Sequence, residues 1–241
     1  MIMKNELLPQ LRQTLQENID LKTLESSSKF FKEGERAQVY GVKTGIVNKI
    51  GKEFYEQVKS FSKSEIFEIA EELLRSNYME EAFIAFILSE ALEKQYEPSD
   101  FKIFEYWVNT YINNWATCDT LCNHTIGNFI MMFPEYIHEL KKWARSENRW
   151  VKRASAVTLI IPARKGLFLK DVLEIADILL EDKDDMVQKG YGWMLKAASE
   201  AYQQEIYEYV LSQRSVMPRT SLRYAIEKMP KELKTEAMRK V

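Results

Sequence analysis

Apolar residues recur every three to four positions along most of the chain, in segments that are separated by short polar breaks. This spacing places the apolar residues on one face of an α-helix, and no segment shows the strict alternation of a strand. Several breaks carry Asn, Ser or Asp, which are common helix N-caps. The pattern predicts an all-α fold with helices near 4–17, 20–32, 45–59, 63–75, 78–94, 99–112, 117–132, 135–145, 149–162, 168–181, 185–199, 203–212, 218–228 and 231–239.

Four of these segments align at a step of 36 residues and share a small residue at their fifth position. The segments begin at Tyr78, Asn114, Trp150 and Met186, and their small residues are Ala82, Cys118, Ala154 and Gly190. Units of two helices with such a period are typical of α-solenoids, and the chain lacks the tetratricopeptide and ankyrin signatures. We therefore expect one HEAT-like repeat domain over 1–241, a curved α-solenoid with a concave face. Its helices in 1–60 would form a cap, followed by repeats of about 36–40 residues.

The composition agrees with a helical protein. Only 8 Gly and 6 Pro interrupt 241 residues, too few for a protein with many turns. The longest apolar run, Phe83 to Leu88, is too short to span a membrane, so no membrane association is expected. The first residues show no secretion signal, which predicts a cytoplasmic location.

Metal, cofactor and nucleotide sites are not indicated. Cys118 and Cys122 lie four residues apart in a predicted helix, which suits two reduced thiols better than a disulfide. Adding His124 and His138 gives no common zinc spacing, and neither histidine stands in a nucleophile motif. Glycine-rich phosphate loops are also missing. We expect no metal and no cofactor.

Charge is segregated along the chain, although the formal net charge is only -2. Residues 61–100 hold three basic and ten acidic residues, whereas residues 141–170 hold nine basic residues and the single acid Glu147. A basic bias returns between Arg214 and Lys240. Such runs are usually solvated helix faces, but the C-terminal half could also form a phosphate-binding surface.

Aromatic and charged residues meet in three short blocks. Trp115 and Asp119 lie four residues apart and so share one face of a helix. If that face is buried, Asp119 needs a cation or hydrogen bonds; if it is exposed, the indole and the carboxylate could hold a cationic group. Successive repeats add Arg153 and Trp193. Packing is the ordinary explanation for each residue alone, but the combination is less easily explained that way.

With these blocks the sequence resembles the AlkD-like alkylpurine DNA glycosylases, the HEAT-like DNA alkylation repair family. The resemblance extends from about Lys29 to Met229 and begins with Tyr40-Gly41-Val42-Lys43. It is strongest in Trp115-x-x-x-Asp119, Trp150-Val151-Lys152-Arg153-Ala154 and Gly190-Tyr191-Gly192-Trp193-Met194-Leu195. The order and separation of the blocks make the set more specific than any one of them.

The resemblance implies hydrolysis of the N-glycosidic bond of N3- or N7-alkylated purines in duplex DNA. It implies that Asp119 is the catalytic carboxylate, which stabilises an oxocarbenium-like sugar and positions water. It further implies that Trp115 and Trp193 hold the sugar of the damaged nucleotide and that Arg153 contacts the DNA backbone. The lesion would remain stacked in the duplex.

Double-stranded DNA containing alkylated purines is therefore the expected partner of a monomeric protein. We expect a phosphate-binding groove lined by Arg149, Lys152, Arg153, Lys189, Arg219 and Arg223. One alternative is a non-catalytic HEAT-like module that binds damaged or branched DNA. Another is a protein-binding solenoid that uses the acidic stretch 61–100 to contact a basic partner.

Overall fold

The protein is helical throughout the part of the chain that a computed structural model describes, residues 4–27, 31, 35 and 38–239. In these residues the only β pairing is an isolated parallel bridge between Gln38 and Tyr78. The all-α prediction is confirmed. The contacts divide the chain into two compact units, Met1–Thr120 and Leu121–Val241. A single domain with residues 1–60 as a cap stays a prediction.

The first unit is built from alternating helices that pack in layers. Helix α5 packs against α3 and α7, the helices two before and two after it, and forms a hairpin with α4. The helix predicted over 20–32 is found as α2, and most of the stretch that follows lies outside the described residues. The unit contains α1 (Lys4–Glu17), α2 (Leu21–Ser27), α3 (Thr44–Val58), α4 (Lys63–Arg75), α5 (Met79–Ala91), 3₁₀ turns at Glu93–Gln95 and Pro98–Asp100, α6 (Phe101–Thr110) and α7 (Trp115–Thr120).

The second unit begins with a π-helical segment, Leu121–Ile126. Its further elements are α8 (Gly127–Met132), a 3₁₀ turn at Pro134–Tyr136, α9 (Ile137–Trp143), α10 (Arg149–Val157), α11 (Ile160–Arg164), α12 (Leu169–Leu179), α13 (Asp185–Ala198), α14 (Gln203–Gln213), α15 (Arg219–Ala225) and α16 (Lys231–Ala237). Helix α13 packs between α10 and α15, while α12 packs on α9 and α14 on α16. Layers of corresponding helices are typical of a helical repeat fold.

The repeat also appears in the hydrogen bonds. Three side-chain contacts join residues 36 positions apart: Asn113 to Asn77, Arg164 to Glu200, and Tyr202 to the carbonyl of Gly166. The four small residues of the repeated segments are all buried. Each repeat therefore presents equivalent positions to the next one, as the 36-residue period predicts.

Two predicted helices differ from the observed ones. The segment predicted as one helix over 149–162 is divided into α10 and α11 near Thr158, because Pro162 has no N–H to donate to the carbonyl of Thr158. The segment predicted over 117–132 begins at Trp115 and passes through the π-helical segment before α8. A wider helical turn of this kind cannot be read from apolar spacing alone.

Two buried carboxylates stand in the first turn of α5. Glu80 accepts hydrogen bonds from the backbone N–H groups of Tyr40, Gly41 and Val42 at 2.8–3.1 Å. Glu81 accepts from Arg12 at 3.0 Å and from the Tyr40 hydroxyl at 2.7 Å. Burial and the neighbouring Glu81 raise the pKa of Tyr40, which keeps the phenol protonated as a donor. These two of the ten acids in 61–100 therefore hold the unit together and do not face a partner.

The close approach of α13 and α15 at Gly192 leads to a prediction about stability. An added Cβ there would lie 2.7 Å from Cβ of Tyr224 and 2.9 Å from the carbonyl oxygen of Ser221. We expect Gly192→Ala to lower the free energy of unfolding by about 2 kcal/mol, because the backbone of α15 must move. In the control Gly45→Ala the added Cβ meets nothing within 4 Å, and we expect a gain of up to about 1 kcal/mol. Equal midpoints of urea unfolding for the two variants would contradict this packing.

Candidate functional site

Helix α7 carries the first pair of predicted site residues. Trp115 opens the helix and is half-buried, with its ring centroid 6.2 Å from that of Phe31. Asp119 lies one turn later on the same face and is 9% exposed. The indole and the carboxylate are therefore neighbours on one short helix, at the edge between the buried interior and solvent.

Asn114 explains why this helix begins at Trp115. Its side-chain oxygen accepts the N–H of Thr117 at 3.0 Å, and its carbonyl accepts the N–H of Cys118 at 3.2 Å. This is the arrangement of an N-cap residue, in which side-chain and main-chain oxygens satisfy the first free donors of the helix. The side chain of Asn114 is itself almost completely buried.

Trp193 lies on α13 in the second unit and is half-buried. The ammonium group of Lys196 lies 6.0 Å from the centroid of the Trp193 ring and 5.5 Å from that of Tyr224. Lys196 also pairs with Glu227 at 3.0 Å. A cation thus already borders this indole. The sequence analysis does not predict a role for Lys196, although its position three residues after Trp193 places it on the same helix face.

The neighbouring Tyr191 belongs to the packing of α13. Its side chain is fully buried, and its hydroxyl donates to the carbonyl of Leu180 at 2.9 Å. Burial raises the pKa of this phenol to about 12. Tyr191 therefore stays neutral and fixes the helix that presents Trp193.

Arg153 is buried between α10 and α13, with only 5% of its surface exposed. Its guanidinium donates to the carbonyl of Met186, and its side chain lies where a Cβ at Gly190 would come within 3.2 Å. The absence of a side chain at Gly190 therefore leaves room for Arg153. The predicted contact of Arg153 with a DNA backbone stays a prediction.

Three other predicted cations are paired with acidic residues at the start of α13. Lys152 lies 2.6 Å from Asp182, and Lys189 lies 3.2 Å from Asp185. Arg149 donates to Asp184 at 2.9 Å and stacks over the ring of Trp150. We name residues 182–185 the acidic turn. Its carboxylates lie outside the 141–170 window, so the positive charge counted there is partly neutralised in the folded unit.

The last two predicted cations lie on α15, and both are exposed. Arg219 donates to the carbonyl of Met238 at 2.7 Å. Arg223 has no ion-pair partner within the part of the chain that the structure describes. Because α15 packs on α13, these residues belong to the same stack as Lys189 and Trp193. Two of the nine predicted residues thus lie in the first unit and seven in the second.

No group of three His, Cys, Asp or Glu residues suited to a metal ion occurs among residues 4–27, 31, 35 and 38–239. Cys118 and Cys122 are buried thiols that are not joined in a disulfide. In the same part of the chain, no helix has the length and apolar character needed to cross a bilayer.

Comparison with known proteins relates the chain to a protein family and to a solved structure. The family model described as DNA alkylation repair enzyme matches residues 11–229. A solved structure titled as a predicted DNA alkylation repair enzyme from Enterococcus faecalis superposes with a TM-score of 0.78 at 14% sequence identity. That match covers 89% of this chain and 98% of the other, and at this identity it supports the shared fold alone. No curated protein matches the chain.

Proposed function

Because the chain belongs to the DNA alkylation repair enzyme family, we propose that it is a glycosylase that releases N3- and N7-alkylated purines from duplex DNA. The family supports a role in alkylation repair and DNA as the partner. The observation that carries the proposed chemistry is a carboxylate, Asp119, one helical turn from the half-buried indole of Trp115. A protein that only binds anionic DNA has no need of a carboxylate beside such an indole.

The proposed reaction is the hydrolysis of one C–N bond. Alkylation at N3 or N7 gives the purine a positive charge, so the bond between the base and C1′ breaks with both electrons passing to the base. The base leaves neutral, and the sugar becomes an oxocarbenium-like cation. Water then adds its oxygen to C1′ and gives up a proton. No general acid is required, because the leaving group is already charged.

Asp119 supplies the negative charge that this route needs. A carboxylate beside the developing cation lowers its energy, as one carboxylate does in glycoside hydrolysis generally, and it can also orient the attacking water. Trp115 and Trp193 add the faces of aromatic rings, which attract positive charge. In this proposal both indoles contact the sugar of the damaged nucleotide, and the sequence of the DNA is not read.

Phosphate contacts are proposed to provide the affinity. Arg149, Lys152, Lys189, Arg219 and Arg223 are half-buried or exposed cations on α10, α13 and α15. Arg153 is proposed to contact the DNA backbone together with these residues, from its place between α10 and α13. Contacts of this kind weaken with salt, because each neutralised phosphate releases counterions.

Substitution of Asp119 tests the chemistry. We expect Asp119→Asn to release 7-methylguanine from methylated duplex DNA about 100-fold more slowly, since the neutral amide cannot stabilise the cationic sugar. Duplex binding should be retained, because the shape of the side chain is kept. The measurement is the single-turnover rate by chromatography of the freed base, alongside a binding titration.

Asp177→Asn is the matched control for this experiment. Asp177 is an exposed carboxylate on α12 that accepts a hydrogen bond from Tyr209, and its removal should leave base release unchanged. A wild-type rate for Asp119→Asn would refute the assigned role. Wild-type protein that binds DNA but frees no base would instead support the non-catalytic module, and failure to bind would support a protein partner.

The acidic turn gives a separate prediction for binding. Asp184 caps α13 by accepting the N–H of Met186 at 2.8 Å, and Asp182 accepts the N–H of Asp184 at 2.8 Å. Asparagine keeps these acceptors but removes the charge. We therefore expect Asp182→Asn/Asp184→Asn to bind undamaged duplex more tightly, because phosphate no longer competes with carboxylates for Lys152 and Arg149. The plot of log affinity against log salt should steepen by about 1 to 2, close to one unit for each freed cation.

The readout is fluorescence anisotropy of a labelled duplex over a range of salt concentrations. Asp177→Asn again serves as the control, since it removes negative charge from the same unit without freeing a predicted phosphate contact. If the double variant gives the same salt slope as this control, Arg149 and Lys152 do not contact DNA.

A further inference from the structure

We propose that a chain of three asparagine side chains, Asn77, Asn113 and Asn114, positions α7 and so aims Asp119 and Trp115 at the bound nucleotide. This role rests on the glycosylase function proposed above. None of the three asparagines touches the substrate in this proposal; they are positioning residues.

The three amides form a continuous series of hydrogen bonds. Asn113 donates from Nδ2 to Oδ1 of Asn77 at 2.6 Å. Asn114 donates from Nδ2 to Oδ1 of Asn113 at 2.9 Å. Oδ1 of Asn114 then accepts the N–H of Thr117 at 3.0 Å, inside the first turn of α7. The series therefore runs from the turn between α4 and α5 directly into the helix that carries the carboxylate.

The first member of the series is held on its own side by the backbone. Asn77 has a φ of 60°, a left-handed conformation that asparagine tolerates better than most residues. Its carbonyl accepts the N–H of Gln38, and the N–H of Met79 donates to the carbonyl of Gln38. The side chain of Asn77 is thus presented by a turn that is bonded on both sides, and it gives Asn113 a fixed partner.

The last member fixes the rotation of α7. The first turn of α7 is the starting end of a helical segment that continues into the π-helical segment, so its first N–H donors have no partner in a preceding turn. Asn114 bonds the first turn through both its side-chain and its main-chain oxygen, at Thr117 and Cys118. Since Asp119 follows Cys118 directly, a rotation of the first turn would move its carboxylate away from C1′. A shift of about 1 Å is enough to slow a reaction strongly.

Substitutions that keep the local backbone test this role. Asn77→Gly suits the left-handed φ but removes the oxygen that Asn113 bonds. Asn114→Ser keeps an N-cap oxygen but removes the donor to Asn113. For both variants we expect base release from saturating methylated duplex to slow by about tenfold, with the dissociation constant for the duplex unchanged. The melting temperature should fall by no more than it does in the control variant.

The control is Ser62→Ala, which removes the capping box at the start of α4. It lowers the melting temperature of the same unit without touching the asparagine series, so its rate at saturation should equal that of wild type. Single-turnover rates, duplex titrations and melting curves are measured on all four proteins. Asp119→Asn is included as the reference for loss of the carboxylate.

The results separate the positioning role from the proposed function. A slower rate at unchanged duplex affinity in Asn77→Gly and Asn114→Ser, absent from Ser62→Ala, supports positioning. Wild-type rates in both variants overturn it while leaving the glycosylase function intact. A loss of rate that parallels the loss of stability in all three variants also overturns it. If wild type releases no base, the proposed function fails and the positioning role falls with it.

Discussion

The carboxylate of Glu80 is the contact on which the order of the N-terminal unit depends. It accepts three consecutive backbone N–H groups from residues 40–42, an irregular segment that follows the bridge at Gln38 and includes Gly41 at a φ of 88°. Without the carboxylate these donors would lose their partners, at about 1–3 kcal/mol for each buried group. Glu80 is only 2% exposed. The cost of burying its charge is offset because both carboxylate oxygens accept hydrogen bonds. Its place in the first turn of α5 adds the favourable end of the helix dipole. Asn77 lies in the turn just before α5. The start of α5 therefore holds residues 40–42 through Glu80, and the turn before it contacts the residues that begin α7 through Asn77.

Polar contacts across about one repeat recur throughout both units. Lys63 pairs with Asp100, Arg149 with Asp184, and Lys196 with Glu227, over separations of 31 to 37 residues. In a stack of helix pairs each residue lies beside its counterpart in the next repeat, so charges distant in sequence become neighbours. A charge count over a short window therefore misstates the local field. The strongly basic window 141–170 is partly balanced by acids that lie outside it, among them Asp171, Asp182 and Asp184.

The sequence predicts the helices and their period well because both follow from apolar spacing and small residues, which are local features. Ala82, Cys118, Ala154 and Gly190 are all buried, and the 36-residue step reappears in hydrogen bonds. Pro162 indicates the break at Thr158, but the apolar spacing continues through it and predicts one helix. The sequence does not predict the π-helical segment, the burial of Arg153 or the pairing of Lys152. The last two depend on residues distant in the sequence: Gly190 and Met186 on α13 for the arginine, and Asp182 in the acidic turn for the lysine. Position in a repeat predicts which helix a residue faces, and it does not predict which polar atom it meets.

The pairing of Arg149 and Lys152 with the acidic turn also affects how the proposed enzyme would select its substrate. A phosphate that contacts Arg149 or Lys152 replaces a carboxylate, so the affinity gained is the difference between two ion pairs. Arg223, which has no ion-pair partner among the described residues, would gain the whole of its new contact. Modest sequence-independent affinity allows a protein to move along DNA, and it leaves little discrimination to the binding step. Discrimination then falls to the chemistry. A neutral purine is a poor leaving group, and one carboxylate with two indoles supplies no acid to assist it. An alkylated purine already carries the charge, so a carboxylate such as the one proposed at Asp119 would be enough to act on damaged bases while normal ones are spared.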